Sequence, residues 1–120
     1  MEGFFVAEDC IFCKIGRGEI PAEIVYETEE VVAFKDLDPQ APLHVLIIPK
    51  KHIATMNDIG PADDGIAEEI FSAARKIADN ENISADGYRL VVNCNKSAGQ
   101  EVFHLHAHLL GGRKFSWPPG

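Results

Sequence analysis

The sequence is poor in basic residues. Lys and Arg total 11 against 19 Asp and Glu, which gives a formal net charge of −8. A nucleic-acid strand would meet a repulsive field at this charge. We therefore expect no nucleic-acid partner, although backbone N–H groups and a few histidines can still hold the phosphate of a single nucleotide.

Long apolar runs and cysteines are also scarce. The longest apolar run lies at residues 43–49, whereas a membrane-spanning helix needs roughly 20 apolar residues. Three cysteines are an odd number and too few for a disulfide framework, which favours a reducing compartment. We expect a cytoplasmic protein with no membrane contact.

The length of 120 residues suits one domain, and 46% hydrophobic with 25% charged residues is typical of a globular chain. We expect a single domain over 1–120, with an N-terminal extension at 1–9 and a C-terminal tail at 112–120. Runs of β-branched and aromatic residues predict strands at 24–26, 31–34, 43–48, 88–93 and 102–110.

One long helix is predicted at residues 61–80. Ile66, Ile70 and Ile77 recur there at helical spacing. Pro61 suits the first helical turn, and Asp63 favours the positive end of the helix dipole. Residues 10–15 form a short mixed segment, and the glycines at 16 and 18 would stop any helical turn there.

Histidines alternate near the C-terminus. His104, His106 and His108 would share one face of a strand, with Phe103 and Leu105 among the residues on the core face. A solvated polar face, an open three-histidine metal site and nucleophilic attack on phosphorus by one imidazole are all compatible with this spacing. Phosphoryl chemistry is favoured by the nearby glycine-containing loop, which supplies donors for phosphate oxygens.

A cysteine pair lies near the N-terminus. Cys10 and Cys13 have the spacing of half a zinc site, and two further ligands would have to come from elsewhere. Ordinary buried cysteines are the alternative. A thioredoxin-like redox pair is less favoured because the two cysteines precede the first strand.

The histidine motif at 104–110 resembles the His-x-His-x-His-x-x signature of the histidine-triad (HIT) superfamily, and its surroundings resemble the Hint branch. The similar stretches are residues 20–22, 34–42, 44, 48–53, 87–89, 91–93, 99–100, 111–113 and 117–120. The resemblance covers about residues 10–120, and the combination is more specific than any single stretch.

The resemblance implies an α+β HIT-like fold: a five-stranded antiparallel sheet with one long and one short helix, in a homodimer with a continuous ten-stranded sheet. It implies hydrolysis of P–N bonds in purine nucleoside phosphoramidates, an adenosine 5′-monophosphoramidase activity on AMP-type substrates through a nucleotidyl-histidine intermediate, without an organic cofactor. The alternatives are a non-catalytic purine nucleotide-binding or scaffold dimer, and a dinucleoside polyphosphate hydrolase as in the Fhit branch. The tail at 117–120 favours Hint.

The same resemblance implies roles for single residues. The position matching the nucleophile is His106, with His108 at the phosphate, His44 steadying the nucleophile through a hydrogen-bond relay, and His104 completing the triad. The positions matching the nucleotide site are Asp36 and Leu37 at the nucleoside, and Asn93, Gly99, Gln100 and Glu101 at the phosphate.

Two of these positions carry further implications. Glu101 stands where animal Hint proteins have a serine that assists the leaving group, so its backbone N–H rather than its carboxylate is expected to serve. A zinc-binding branch of the family implies that His52 and His104 join Cys10 and Cys13 in a structural Cys2His2 site.

Overall fold

A computed structural model describes residues 9–120; the expectation of an N-terminal extension therefore falls almost wholly outside the described residues. The strands are β1 (Ile24–Glu27), β2 (Val31–Lys35), β3 (Leu43–Pro49), β4 (Tyr88–Val91) and β5 (Ala107–Gly111). Within residues 9–120 they form one antiparallel sheet in the order β1-β2-β3-β5-β4. The α-helices are the short α1 (Ile11–Gly16) and the long α2 (Ile66–Asn80). The predicted five-stranded antiparallel sheet with one long and one short helix is confirmed.

The two faces of the sheet bury different clusters. One face packs on α2 and includes Val31, Ala33, Val45, Ile47, Leu105, Ala107 and Leu109. The opposite face packs on α1 through Phe12, Val32, Phe34, Leu46 and Ile48. Because β3 is buried on both faces, its residues other than His44 are all apolar, and the sequence does not alternate between apolar and polar residues. Strand alternation puts His44 and His108 on the α1 face, where Leu46 is the cross-strand partner of His108.

The predicted strand at 102–110 is too long at its start. β5 begins only at Ala107, so His104 and His106 precede the strand. The reason is that the partner strand has no donor to offer beyond this point, since Pro49 lacks an N–H and its carbonyl accepts a hydrogen bond from the His104 ring at 2.7 Å. Phe103, expected to face the core, is 46% exposed.

The long helix also begins later than predicted, at Ile66 instead of near Pro61. Gly65 has a left-handed φ of 90° that separates α2 from a 3-10 turn at Pro61–Asp63. Asp63 caps that turn by accepting from the Gly60 N–H at 2.9 Å. Within residues 9–120, no helix combines the length and the apolar character required to cross a bilayer.

Candidate functional site

A cavity of about 490 Å³ lies on the α1 face of the sheet. Its apolar walls include Phe12, Ile15, Ile20, Pro21, Phe34 and Leu46. The rest of its lining brings together seven of the predicted site residues, most of them polar: Asp36, Leu37, Asn93, Gly99, Glu101, His106 and His108. The cavity therefore offers an apolar slot with a polar, imidazole-bearing end, which suits a base attached to a phosphate.

A larger cavity, of about 560 Å³, lies beside the start of α2 and has a different character. Its lining includes the carboxylates of Glu30, Asp63, Asp64, Glu68 and Glu69. A phosphate placed there would meet repulsion. The smaller cavity with the imidazoles is therefore the better candidate for nucleotide chemistry.

His106 is held in one tautomer by the backbone. Its Nδ1 lies 2.8 Å from the carbonyl oxygen of His104, and a carbonyl can only accept, so Nδ1 carries the proton. In the neutral ring, Nε2 then has a free lone pair. The ring is 7% exposed and packs edge-on against Phe12 at a centroid distance of 5.2 Å, which fixes its orientation.

His44 and His108 form a hydrogen-bonded pair beside His106. The Gln40 N–H donates to His44 Nδ1 at 3.0 Å, so His44 carries its proton on Nε2 and donates to His108 Nδ1 at 2.9 Å. His108 must then carry its own proton on Nε2. A single backbone N–H thus sets the tautomers of two imidazoles, and His44 contacts His108 rather than the predicted nucleophile.

Both members of the pair favour the neutral form. Burial lowers the pKa of His108 to about 4, with further lowering by His106 and His44. Burial also lowers the pKa of His44, while the Asp36 carboxylate, 3.4 Å from its Nε2, acts in the opposite direction. Neutral rings preserve the two hydrogen bonds that run from the Gln40 N–H through His44 to His108. Protonation of either ring would break one of them.

Gln100 lies away from the cavity. Its side chain is 5% exposed, accepts from the Asn95 N–H at 2.8 Å and donates to the carbonyls of Ala54 and Val102 at 2.9 and 3.0 Å. Within the described residues it is not part of the cavity lining. Gln100 instead pins the loop that presents Gly99 and Glu101 to the cavity.

Asp36 has a local partner besides its place in the cavity. One carboxylate oxygen accepts from the Asp38 N–H at 2.8 Å, which caps the turn after β2. The other oxygen lies beside His44. Leu37 next to it is fully exposed at the mouth of the cavity.

A cluster of two cysteines and two histidines lies next to the cavity residues. Its members are Cys10, Cys13, His52 and His104. Their ligand atoms all lie within 4.8 Å of one another. Cys10 Sγ lies 3.2 Å from His104 Nδ1, and Cys13 Sγ lies 3.3 Å from His52 Nδ1 and 3.4 Å from His104 Nδ1. Two thiols and two imidazoles at such separations could hold a tetrahedral metal ion. α1 builds half of the cluster, because Cys10 caps the helix and Cys13 lies in its first turn.

His104 is oriented for this cluster by the sheet. Its Nε2–H donates to the Pro49 carbonyl, which leaves the Nδ1 lone pair directed at the two sulfurs. A carbonyl that fixes the tautomer of a ligating histidine is the usual outer-shell partner in metal sites. Burial lowers the pKa of His104 to about 4, so the ring is neutral and able to ligate at neutral pH.

Sequence reasoning missed the groups that orient the histidines. They are the Gln40 N–H, the carbonyls of Pro49 and His104, and the Phe12 ring. Three of them are backbone atoms, which exist at every residue and carry no sequence signal. Phe12 is the one exception, because an aromatic residue within residues 10–15 could have indicated that this segment packs on the sheet.

The sheet, the helices and the histidine cluster define a class of protein, and the sequence comparison agrees with it. The HIT domain model matches residues 17–115. The chain belongs to the HIT domain family.

Individual relatives place it within that family. A purine nucleoside phosphoramidase from Escherichia coli strain K12 is 51% identical over 108 residues, covering 90% of this chain and 91% of the relative. The crystal structure of a HIT family hydrolase from Legionella pneumophila Philadelphia 1 superposes with a TM-score of 0.90 at 55% identity, over 93% of this chain and 100% of that one. A Zn-bound histidine triad family protein from Mycobacterium smegmatis superposes with a TM-score of 0.77 at 31% identity, over 88% of this chain and 76% of that one.

Proposed function

We propose that this chain is a purine nucleoside phosphoramidate hydrolase that acts through a nucleotidyl-histidine on His106. The observation that carries the proposal is the His106 ring itself, whose Nδ1–H donates to the His104 carbonyl, so that Nε2 is the nitrogen left for the cavity that the ring lines. An imidazole nitrogen with a free lone pair is a competent nucleophile toward phosphorus. The phosphoramidase activity named for the Escherichia coli relative supports the same substrate class.

The chemistry takes two displacements at phosphorus. His106 Nε2 attacks, the Nε2–P bond forms, the P–N bond to the amine breaks, and the amine departs with one proton taken from solvent. Water then attacks the same phosphorus and the Nε2–P bond breaks; one proton of water stays on the phosphate and the other returns to solvent. The products are the free amine and AMP, and His106 returns to its starting form.

The neighbouring residues would bind and orient the substrate. His108 would donate from Nε2 to a phosphate oxygen, because the His44 pair leaves its proton on that atom. Asp36 would accept from the ribose hydroxyls beside Leu37, and Asn93 with the backbone of Gly99 and Glu101 would contact the phosphate. His44 acts on this arrangement through His108 as a positioning residue.

Gln40 offers a test of the relay. Gln40→Pro removes the N–H that fixes the His44 tautomer, and we expect kcat to fall about 10-fold or more, as when an orienting partner of a functional histidine is lost. KM should change little because Gln40 does not line the nucleotide cavity in the described structure. The matched control is Gln40→Ala, which keeps the N–H and should retain the wild-type kcat. Equal kcat values for the two variants, both shown to be folded by thermal melting, would refute the relay.

A structural zinc ion in the Cys10, Cys13, His52 and His104 cluster is part of the proposal. The donor set fits, since two thiolates and two neutral imidazoles form the closed tetrahedral set of structural zinc. The zinc-bound relative from Mycobacterium smegmatis supports this metal. A bound zinc ion would cross-link α1 to the segment after β3 and to His104. His106 and His108 would stay available to the substrate. Thiols used as ligands also favour the cytoplasm, where they stay reduced.

A homodimer with a continuous ten-stranded sheet also belongs to the proposal. β4 is one edge of the described sheet, and an unprotected edge strand is a template for pairing with another strand. Tyr88 on β4 and Phe71 on α2 are 36% and 61% exposed, apolar surface that a second copy would cover. Light scattering should give twice the 13.2 kDa mass of one chain, and a monomeric mass at micromolar concentration would contradict the dimer.

The activity is tested by incubating the purified protein with adenosine 5′-phosphoramidate and following AMP release. Diadenosine tetraphosphate serves as the comparison substrate under the same conditions. We expect AMP from the phosphoramidate with a kcat/KM well above that for the dinucleotide. Faster cleavage of the dinucleotide would favour the polyphosphate hydrolase instead, and tight AMP binding without turnover of either compound would favour a binding protein.

A further inference from the structure

A second groove, of about 270 Å³, adjoins the nucleotide cavity. Asn93 and His108 line both spaces, whereas His106 lines only the nucleotide cavity. In an in-line displacement at phosphorus, the nucleophile and the leaving group are on opposite sides. A groove that starts at His108 and does not include His106 is therefore placed to receive the leaving amine.

Two arginines line this groove, and both contact the same aromatic ring. The guanidinium carbons of Arg113 and Arg89 lie 4.2 and 5.1 Å from the centroid of Phe115. Arg113 donates to the carbonyls of Gln40 and Lys114, both at 3.1 Å, and Arg89 donates to the Ser116 carbonyl. These contacts fix both guanidinium groups before any ligand arrives.

The two guanidinium groups have unused donors. Each guanidinium has five N–H donors, and the contacts found in residues 9–120 use two on Arg113 and one on Arg89. Carbonyl partners do not neutralise the charge. Among the described residues neither arginine has a carboxylate partner, in contrast to Arg17, which pairs with Glu19 at 2.6 Å.

The charge of the groove differs from that of the chain. No Asp or Glu is among the described residues that line it, although the chain has 19 acidic residues against 11 basic ones. Preorganised arginine donors without a counter-charge are the arrangement that binds a carboxylate or phosphate, often with two parallel hydrogen bonds. The location beside His108 connects that anion to the departing half of the substrate.

We propose that Arg113 and Arg89 bind a carboxylate carried by the leaving amine, so that phosphoramidates of amino acids are favoured over those of uncharged amines. The proposal rests on the proposed function and specifies the substrate class of that same site. The carboxylate is covalently tied to the departing nitrogen, so it reaches the groove only when the phosphorus is in the nucleotide cavity. A distal phosphate of a dinucleotide presents similar chemistry, and the experiment separates the two.

The experiment compares AMP joined through nitrogen to alanine with AMP joined in the same way to alaninamide, which is isosteric and lacks the carboxylate. The readout is the ratio of the two kcat/KM values, in which any general loss of activity cancels. We expect the wild-type ratio to favour alanine and to fall about ten-fold in Arg113→Gln, on the scale of a charge-assisted hydrogen bond. Arg113→Lys should give an intermediate ratio, and Arg75→Gln, an exposed arginine of α2 outside the groove, should keep the wild-type ratio.

A wild-type ratio of one or less, or an equal ratio in Arg113→Gln, would overturn the proposal. A preference for diadenosine tetraphosphate over the alanine compound that disappears in Arg113→Gln would assign the groove to phosphate and would overturn it as well. If the wild type hydrolyses no phosphoramidate, the proposed function fails, and calorimetry then decides this inference separately. Tighter wild-type binding of the alanine compound than of the alaninamide compound would support it, and equal Kd values would contradict it.

Discussion

Replacing His106 with glycine is expected to abolish turnover of adenosine 5′-phosphoramidate, with kcat lower by roughly ten-thousand-fold or more. Deleting the nucleophile of a covalent mechanism has effects of about this size or larger. AMP binding should persist, because Phe12, Phe34 and Leu46, which form the apolar slot, all remain in the variant. The checks are single-turnover kinetics for the chemical step and calorimetry for the Kd of AMP.

Chemical rescue makes this prediction specific. The glycine variant leaves a space in which added imidazole can replace the missing ring, so we expect imidazole to restore part of the rate in His106→Gly. The matched control is Gln40→Pro, in which the nucleophile remains and imidazole should have no effect. Substantial turnover by His106→Gly without imidazole would remove His106 from the role of nucleophile.

The second large effect concerns the metal cluster. We expect the purified protein to contain about one zinc per chain, and its removal to lower the free energy of unfolding by more than about 3 kcal/mol, since structural zinc sites contribute apparent binding free energies on the order of 10 kcal/mol in small domains. The melting temperature should fall by on the order of 10 °C. Thermal melts with and without a strong chelator, together with metal analysis, measure this.

Cysteine variants separate zinc from packing. Cys13→Ser should show a low melting temperature that the chelator does not lower further, because the cluster has lost a buried ligand. The control, Cys94→Ser, changes a cysteine outside the cluster and should behave as the wild type, chelator response included. A wild-type protein that contains no metal and ignores the chelator would rule out the zinc site.

Much of the fold could be predicted from the sequence because its signals are local and strong. The hydrophobic residues from Leu43 indicated a strand, and the structure shows that this strand, β3, is the centre of the sheet and buried on both faces. Helical spacing of Ile66, Ile70 and Ile77 located α2, while its start depended on the backbone angle of Gly65, which the helix pattern does not reveal. Hydrophobic patterns in the sequence thus indicate whether a segment is a helix or a strand more reliably than where it begins and ends.

The site was less predictable because chain geometry decides which atoms meet. The alternation of His104, His106 and His108 indicated one shared face, yet His104 lies before β5 and points to the cysteines. Gln100 was expected at the phosphate, and in the structure its side chain bonds to the backbone of Asn95, Ala54 and Val102 and so supports the neighbouring loop. Hydrogen bonds to backbone atoms, both near in sequence and as distant as Gln100 to Ala54, set these positions, and the sequence pattern does not encode them.

The division of the triad follows from two carbonyl groups. The Pro49 carbonyl directs His104 Nδ1 toward the sulfurs, and the His104 carbonyl leaves Nε2 of His106 free in the cavity. In the proposed function, the first histidine would therefore hold the metal ion and the second would act as the nucleophile. His108, paired with His44, would bind the phosphate.

Trapping the covalent intermediate tests this account most directly. The protein is mixed with adenosine 5′-phosphoramidate, quenched within one turnover, digested, and its peptides analysed by mass spectrometry under conditions that preserve phosphohistidine bonds. We predict one adenylyl group on the peptide containing His106, located on that residue by fragmentation. Turnover with an adenylyl group on another residue, or with none at any quench time at which AMP is forming, would contradict the account.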